Sequence, residues 1–173
     1  MSKFFKKALF LDRDGVLNYL VSNRPPWSLN EIKIYDEAFE IVNLAKRKSY
    51  IPIVITNQPD AGRGKLGFDD LENINNHIIR ILGINHSYVC MHPYDGMCNC
   101  RKPKIGSFLN AKQMYKIDLE QSLLIGDRDK DIIAGNNANC TTIKISTESS
   151  HLANYNVSNH NQLVNLIKRL LID

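Results

Sequence analysis

Four apolar residues, Ala8-Leu9-Phe10-Leu11, run directly into Asp12-Arg13-Asp14-Gly15. An apolar run that ends in acids reads as a buried strand delivering carboxylates to its carboxyl end, where open α/β sheets bind their ligands. If extended backbone continues briefly past Leu11, Asp12 and Asp14 share one side. Two carboxylates placed so can hold Mg²⁺ and divide the work of nucleophile and general acid/base. Turn chemistry accounts for Asp and Gly at a strand end equally well when the pair is taken alone.

Further motifs follow along the chain. Ile51-Pro52-Ile53-Val54-Ile55 leads into Thr56-Asn57-Gln58, so Thr56 offers a hydroxyl and a backbone N–H at a second strand end, a pairing suited to phosphoryl oxygens. Ala61-Gly62-Arg63-Gly64-Lys65 adds glycines and two cations, although an ordinary βα loop reads the same way. Cys90, His92, Cys98 and Cys100 form a Cys3His set at short spacing, the donor set of a closed tetrahedral zinc site. Four protein ligands leave no place for water, so the zinc is expected to be structural, pinning a loop over 90–104. That loop runs into Arg101-Lys102-Pro103, placing a guanidinium and an ammonium beside the metal, both suited to phosphate. Finally Leu123-Leu124-Ile125-Gly126 ends in Asp127, a good ligand for a hard cation. Asp129 reads as a helix cap, and Asp131 as either a cap or a support for the metal shell.

These residues need a scaffold that brings several strand ends together. Strands are expected at 7–11, 51–55, 87–91, 122–125 and 141–145, with Tyr155-Asn156-Val157 as a short edge. Helices are expected at 36–48, 69–82, 105–116, 129–138 and 160–171. Pro52 argues that the second strand begins after it. Alternating strands and helices predict a parallel sheet covered on both faces, a three-layer Rossmann-like α/β domain spanning 1–173. The long segment 17–35 follows the aspartate pair and is placed to cover the site, with packing of Trp27 against the body as the plainer alternative. An amphipathic last helix would pack through Leu163, Leu166, Ile167 and Leu170.

The chain has 173 residues, a formal net charge of +4, and 43% hydrophobic and 23% charged residues. The modest charge, with no basic stripe or interleaved aromatics, speaks against a nucleic-acid binder and suits a small anionic ligand. No stretch reaches the ~20 apolar residues of a membrane span. The basic start, Met1 to Lys7, lacks a signal-peptide apolar region, so a cytoplasmic monomer is the default expectation.

Asp12-x-Asp14, Thr56, Lys102 and Gly126-Asp127-x-x-x-Asp131, in that order, resemble the four motifs of the haloacid dehalogenase superfamily of phosphohydrolases over roughly residues 7–146. The Cys-x-His…Cys-x-Cys loop followed by Arg-Lys-Pro resembles the small zinc-loop branch that includes heptose bisphosphate and histidinol-phosphate phosphatases, which lack a cap domain. The resemblance implies that Asp12 is the nucleophile and Asp14 the acid/base. Asp12, the backbone carbonyl of Asp14, and Asp127 would hold Mg²⁺. Thr56 and Lys102 would bind the transferring phosphoryl group, with Asp131 in support. Asn57, Arg101 and Arg128 would meet substrate, and Arg63 and Lys65 would reach a second, remote phosphate. The implied activity is removal of the 7-phosphate of D-glycero-D-manno-heptose 1,7-bisphosphate. The five residues between His92 and Cys98, and Pro59-Asp60, keep histidinol phosphate or another small sugar phosphate open. A non-catalytic phospho-acceptor module is the rival from another class; it would lack a partner acid two residues beyond its acceptor.

Overall fold

A computed structural model describes residues 5–93 and 97–171. The first residues of the chain and positions 94–96, inside the cysteine loop, lie outside the described residues. Six strands form one sheet in the order β3-β2-β1-β4-β5-β6. They are β1 (Lys7–Leu11), β2 (Tyr50–Asn57), β3 (His86–Cys90), β4 (Leu123–Gly126), β5 (Thr141–Ile145) and β6 (Tyr155–Val157), and every pairing is parallel. The helices are α1 (Asp36–Arg47), α2 (Pro59–Gly62), α3 (Phe68–Leu82), α4 (Gly106–Tyr115), α5 (Asp129–Asn137) and α6 (His160–Leu170). Among the described residues, no second folded unit interrupts this series.

Side chains alternate across the sheet as the strand period of two requires. Leu9, Leu11, Val54, Ile125 and Ile143 join one buried layer with α1, α3 and α6; Ala8, Phe10, Ile53, Ile55 and Leu124 join the other with α4 and α5. The apolar face of α6 is buried through Leu163, Val164, Leu166 and Ile167, and Asn159 caps the helix by accepting the Gln162 N–H at 2.9 Å.

Strand β2 does not begin after Pro52; it starts at Tyr50 and runs through the proline. Pro52 faces Leu9 of β1 in register, but pairing with β3 starts only at Ile53 with His86. At position 52 the strand is therefore an edge on that side, and the missing proline N–H breaks no ladder there. A one-turn helix at α2, carrying proline in its first turn, was not expected from the sequence.

The chain steps from β1 outward through β2 to β3, then returns to β4 on the other flank of β1. The sheet order reverses between β1 and β4, the place where a crevice opens beyond the strand ends. Leu11 is paired with Ile125, and the Asp12 N–H donates to the Ile125 carbonyl at 2.9 Å. That register sets Asp12 and Asp127 side by side.

The segment 17–35 folds back on itself as an antiparallel arm, with Asn18 bridged to Ile34 and the Tyr19 N–H donating to the Lys33 carbonyl at 2.8 Å. At its base, Tyr19, Tyr35 and His160 stack, with ring centroids 3.7 and 3.5 Å apart. His160 Nε2 donates to the Val16 carbonyl at 3.0 Å and so ties α6 to the turn after Asp14. Trp27 is 36% exposed. It lies under the Arg24 guanidinium, 4.1 Å from its ring centroid, while Arg24 forks onto Glu31 at 2.6 and 2.9 Å.

Candidate active site

The ends of β1, β2 and β4 converge on three carboxylates and one ammonium. Asp12, Asp127 and Asp131 each offer a carboxylate oxygen, and these lie within 4.8 Å of one another. Lys102 is fully buried beneath them. Its Nζ lies 3.0 Å from Asp12 Oδ1 and 2.8 Å from Asp131 Oδ1, and donates to the Ile55 carbonyl at 2.6 Å. The Ile55 carbonyl takes one ammonium hydrogen, and the two carboxylates stand against the charge. Burial works against that charge, but Asp12 and Asp131 more than offset it, and the Lys102 pKa lies above the ordinary lysine value.

Asp131 does two jobs. Its Oδ2 accepts the Arg128 N–H at 3.1 Å, capping α5, while Oδ1 meets Lys102. Burial, then the neighbouring Asp12, push its pKa up, and Lys102 pulls it back. Gly126 makes this approach possible, because a Cβ there would stand 2.3 Å from Asp131 Cβ. Gly15 is required similarly: it has φ +83°, and a Cβ would stand 2.6 Å from Asp127 Oδ2.

Asp127 is pushed up to about 7, by burial first and then by Asp12 and Asp131. Its Oδ1 is buried without a hydrogen-bond partner. Clustered acids with an orphaned oxygen are a hard-cation site by their own chemistry, and Mg²⁺ fits the donor set.

The Asp14 side chain lies outside that cluster. Arg13, itself fully buried, donates to it at 3.2 and 3.1 Å; Asn18 Nδ2 donates at 3.0 Å and Gln58 Nε2 at 2.5 Å. Gln58 also donates to the Thr56 hydroxyl at 2.9 Å, which links the second strand end to the acid. Neither Arg13 nor Gln58 was marked by the sequence reading. Their adjacency to Asp14 and Thr56 was the available signal, but the contact between 14 and 58 exists only in the folded chain.

A cleft opens above. Asp12, Asp14, Thr56 and Asp127 line its floor; Asn57, Pro59 and Asp60 form one wall; Arg128 and Lys130 form the other; and Pro25 comes from the arm. Pro25, Pro59, Asp60 and Lys130 are additions to the expected set. Arg63 and Lys65 are exposed and Arg101 is partly buried, and none of the three lines the cleft. Arg63 Nη1 lies 4.0 Å from Asp60 Oδ1. The Asn57 amide is engaged with the backbone of Lys102.

Cys90, His92, Cys98 and Cys100 come together at the end of β3. Cys90 Sγ lies 3.8 Å from Cys98 Sγ and 3.4 Å from His92 Nδ1, and Cys100 Sγ lies 3.3 Å from that nitrogen. A tetrahedron with bonds of about 2.3 Å has sulfur–sulfur edges of about 3.8 Å, so the set fits zinc. Burial, then the neighbouring thiols, push Cys100 up to about 12, whereas against burial the Arg101 N–H and the neighbouring thiols hold Cys98 below its ordinary value.

Comparisons with known proteins agree with this geometry. Residues 99–167 match the HAD-hydrolase-like family model. The chain is 37% identical, over 141 residues, to the D-glycero-β-D-manno-heptose-1,7-bisphosphate 7-phosphatase of Helicobacter pylori, covering 76% of this chain and 79% of that protein. It is 33% identical, over 147 residues, to the α-anomer 7-phosphatase of Campylobacter jejuni, covering 82% and 83%. The solved D,D-heptose 1,7-bisphosphate phosphatase of B. bronchiseptica, complexed with magnesium and phosphate, superposes with a TM-score of 0.82 at 21% identity, covering 94% and 98%.

Proposed function

The chain belongs to the haloacid dehalogenase-like hydrolases, in the family of the heptose bisphosphate phosphatases, and from that premise we propose that it removes the 7-phosphate of D-glycero-D-manno-heptose 1,7-bisphosphate by way of an aspartyl-phosphate. The observation that carries this reading is the cluster of Asp12, Asp127 and Asp131, two of them paired with buried Lys102, at a cleft also lined by Arg128 and Lys130.

In this reading the Asp12 carboxylate attacks phosphorus, and the sugar oxygen leaves. Asp14 protonates that oxygen and then takes a proton from the water that cleaves the acyl phosphate. It already lines the cleft, where Arg13 and Gln58 hold its carboxylate. Lys102 and the Thr56 hydroxyl meet the phosphoryl oxygens as charge builds on them. Asp12 and Asp127, with the Asp14 backbone carbonyl, would hold Mg²⁺, which offsets repulsion between the anionic nucleophile and the phosphate. Zn²⁺ on the Cys3His set would hold the loop that presents Arg101 and Lys102. Arg128, joined by Lys130, would bind the remaining phosphate. Arg63 and Lys65 can serve only if the loop after β2 folds inward, so the wall from α5 has the stronger support. No helix among the described residues is long and apolar enough to cross a membrane.

The test is phosphate release with Mg²⁺ from the α and β anomers of the heptose bisphosphate and from histidinol phosphate, side by side. A preference for either bisphosphate anomer is expected. Preference for histidinol phosphate would reassign the substrate, and no turnover of any of the three would reject the heptose reading.

A further inference from the structure

We propose that Asn57 is a positioning residue for Lys102, its side-chain amide committed to the Lys102 backbone rather than to the substrate. Asn57 closes β2, in register with Cys90 at the end of β3. Its side chain makes two reciprocal bonds to one backbone unit far along the chain: Nδ2 donates to the Lys102 carbonyl at 3.0 Å, and Oδ1 accepts the Lys102 N–H at 3.1 Å. Each end of the amide thus has a partner, in the pattern one strand offers another.

Two residues earlier on the same strand, the Ile55 carbonyl receives the Lys102 ammonium at 2.6 Å. Strand β2 therefore grips Lys102 at both ends of its side chain. Ile55 holds the charge and Asn57 holds the backbone from which the four-carbon stem starts. Lysine is flexible along that stem, so fixing only one end leaves the ammonium free to swing. Fixing both sets its place against Asp12 and Asp131.

The same contact closes the cysteine loop. That loop leaves the sheet at Cys90, opposite Asn57, and returns to the Asn57 amide at Lys102, so one residue registers its start and its end. A metal on Cys90, His92, Cys98 and Cys100 fixes the loop's interior, whereas Asn57 fixes where its catalytic end meets the sheet.

The inference rests on the phosphatase reading, in which Lys102 meets the transferring group. Misplacing such a group by about 1 Å costs on the order of 100-fold in rate. Asn57→Ala should therefore lower kcat by about 10- to 100-fold with KM changed less than about threefold. The loss should be equal on the sugar bisphosphate and on p-nitrophenyl phosphate, because the phosphoryl group is common to both. Zinc content and Tm should stay near wild type. Asn57→Asp keeps the shape and the acceptor but removes the donor to the Lys102 carbonyl. It should lose a similar factor, and it guards against a packing defect in the alanine variant. Three results overturn the inference. One is a rise in KM on the sugar bisphosphate alone, which would make Asn57 a substrate contact. Another is a fall in Tm with unchanged kcat per active site, which would make it merely structural. The last is wild-type activity in both variants. Absence of turnover by the wild-type protein on either compound would instead reject the phosphatase reading beneath it.

Discussion

Replacing Lys102 by methionine keeps most of the stem and removes the charge. The ammonium is fully buried, with acceptors at 2.6, 2.8 and 3.0 Å, so the variant strands two carboxylates and a carbonyl in the interior. Breaking a buried ion pair by deleting one partner costs about 3–5 kcal/mol. For a chain of this length each kcal/mol is worth roughly 2–4 °C, so the loss should appear as a Tm lower by about 10 °C at pH 8. The deficit should also depend on pH. Asp131 is already raised by burial and held back by Lys102, so without the lysine its folded pKa rises further above the unfolded value. A raised carboxyl adds stability at low pH and loses it as pH rises through the folded pKa. The gap between wild type and variant should therefore narrow from pH 8 to pH 5, by about 1.4 kcal/mol for each unit of additional shift that falls within that window. Thermal melts of both proteins, magnesium-free and zinc-replete, measure this directly. A deficit under about 1 kcal/mol at pH 8, or one equal at pH 5 and pH 8, would refute the buried ion triad.

Other consequences follow from the same geometry. Asp127, raised to about 7, must lose its proton to bind Mg²⁺, so affinity measured by calorimetry should fall about tenfold per pH unit below 7 and level off above it; a flat profile contradicts this. Metal analysis should find one zinc per chain, and chelation or Cys98→Ser should lower both Tm and activity; a zinc-free protein of full stability contradicts the loop's role. Gln58→Ala should lower kcat with little change in Mg²⁺ affinity, since Gln58 holds Asp14 and Thr56 but touches none of the clustered acids; an equal loss of Mg²⁺ affinity would place it elsewhere.

The layered α/β fold was legible because the apolar runs ending in Asp12, Thr56 and Asp127 are strands buried on both faces, and their polar ends mark the sheet's carboxyl edge. The Cys3His set was legible because its ligands are close in sequence. What escaped the sequence depends on contacts between distant segments. Pro52 is tolerated only because β3 starts one rung later. Asp14 and Gln58 are 44 positions apart, and Asn57 and Lys102 are 45 apart, so their pairing needs the finished sheet. Asp131 read ambiguously as a cap or a support, and the structure shows why: one oxygen caps α5 and the other meets Lys102. Of the cleft's two cations, Arg128 was already implied by the resemblance, whereas Lys130, in the first turn of α5, was not.

The central claim is that Asp12 attacks the phosphoryl group. Phosphate release from heptose bisphosphate by Asp12→Asn, with Mg²⁺ at saturation and the fold checked by its melt, tests it most directly. The account predicts loss of turnover below detection in a folded protein, because an amide cannot form the acyl phosphate. Turnover retained by that variant would contradict the claim and remove Asp12 from the nucleophile's role.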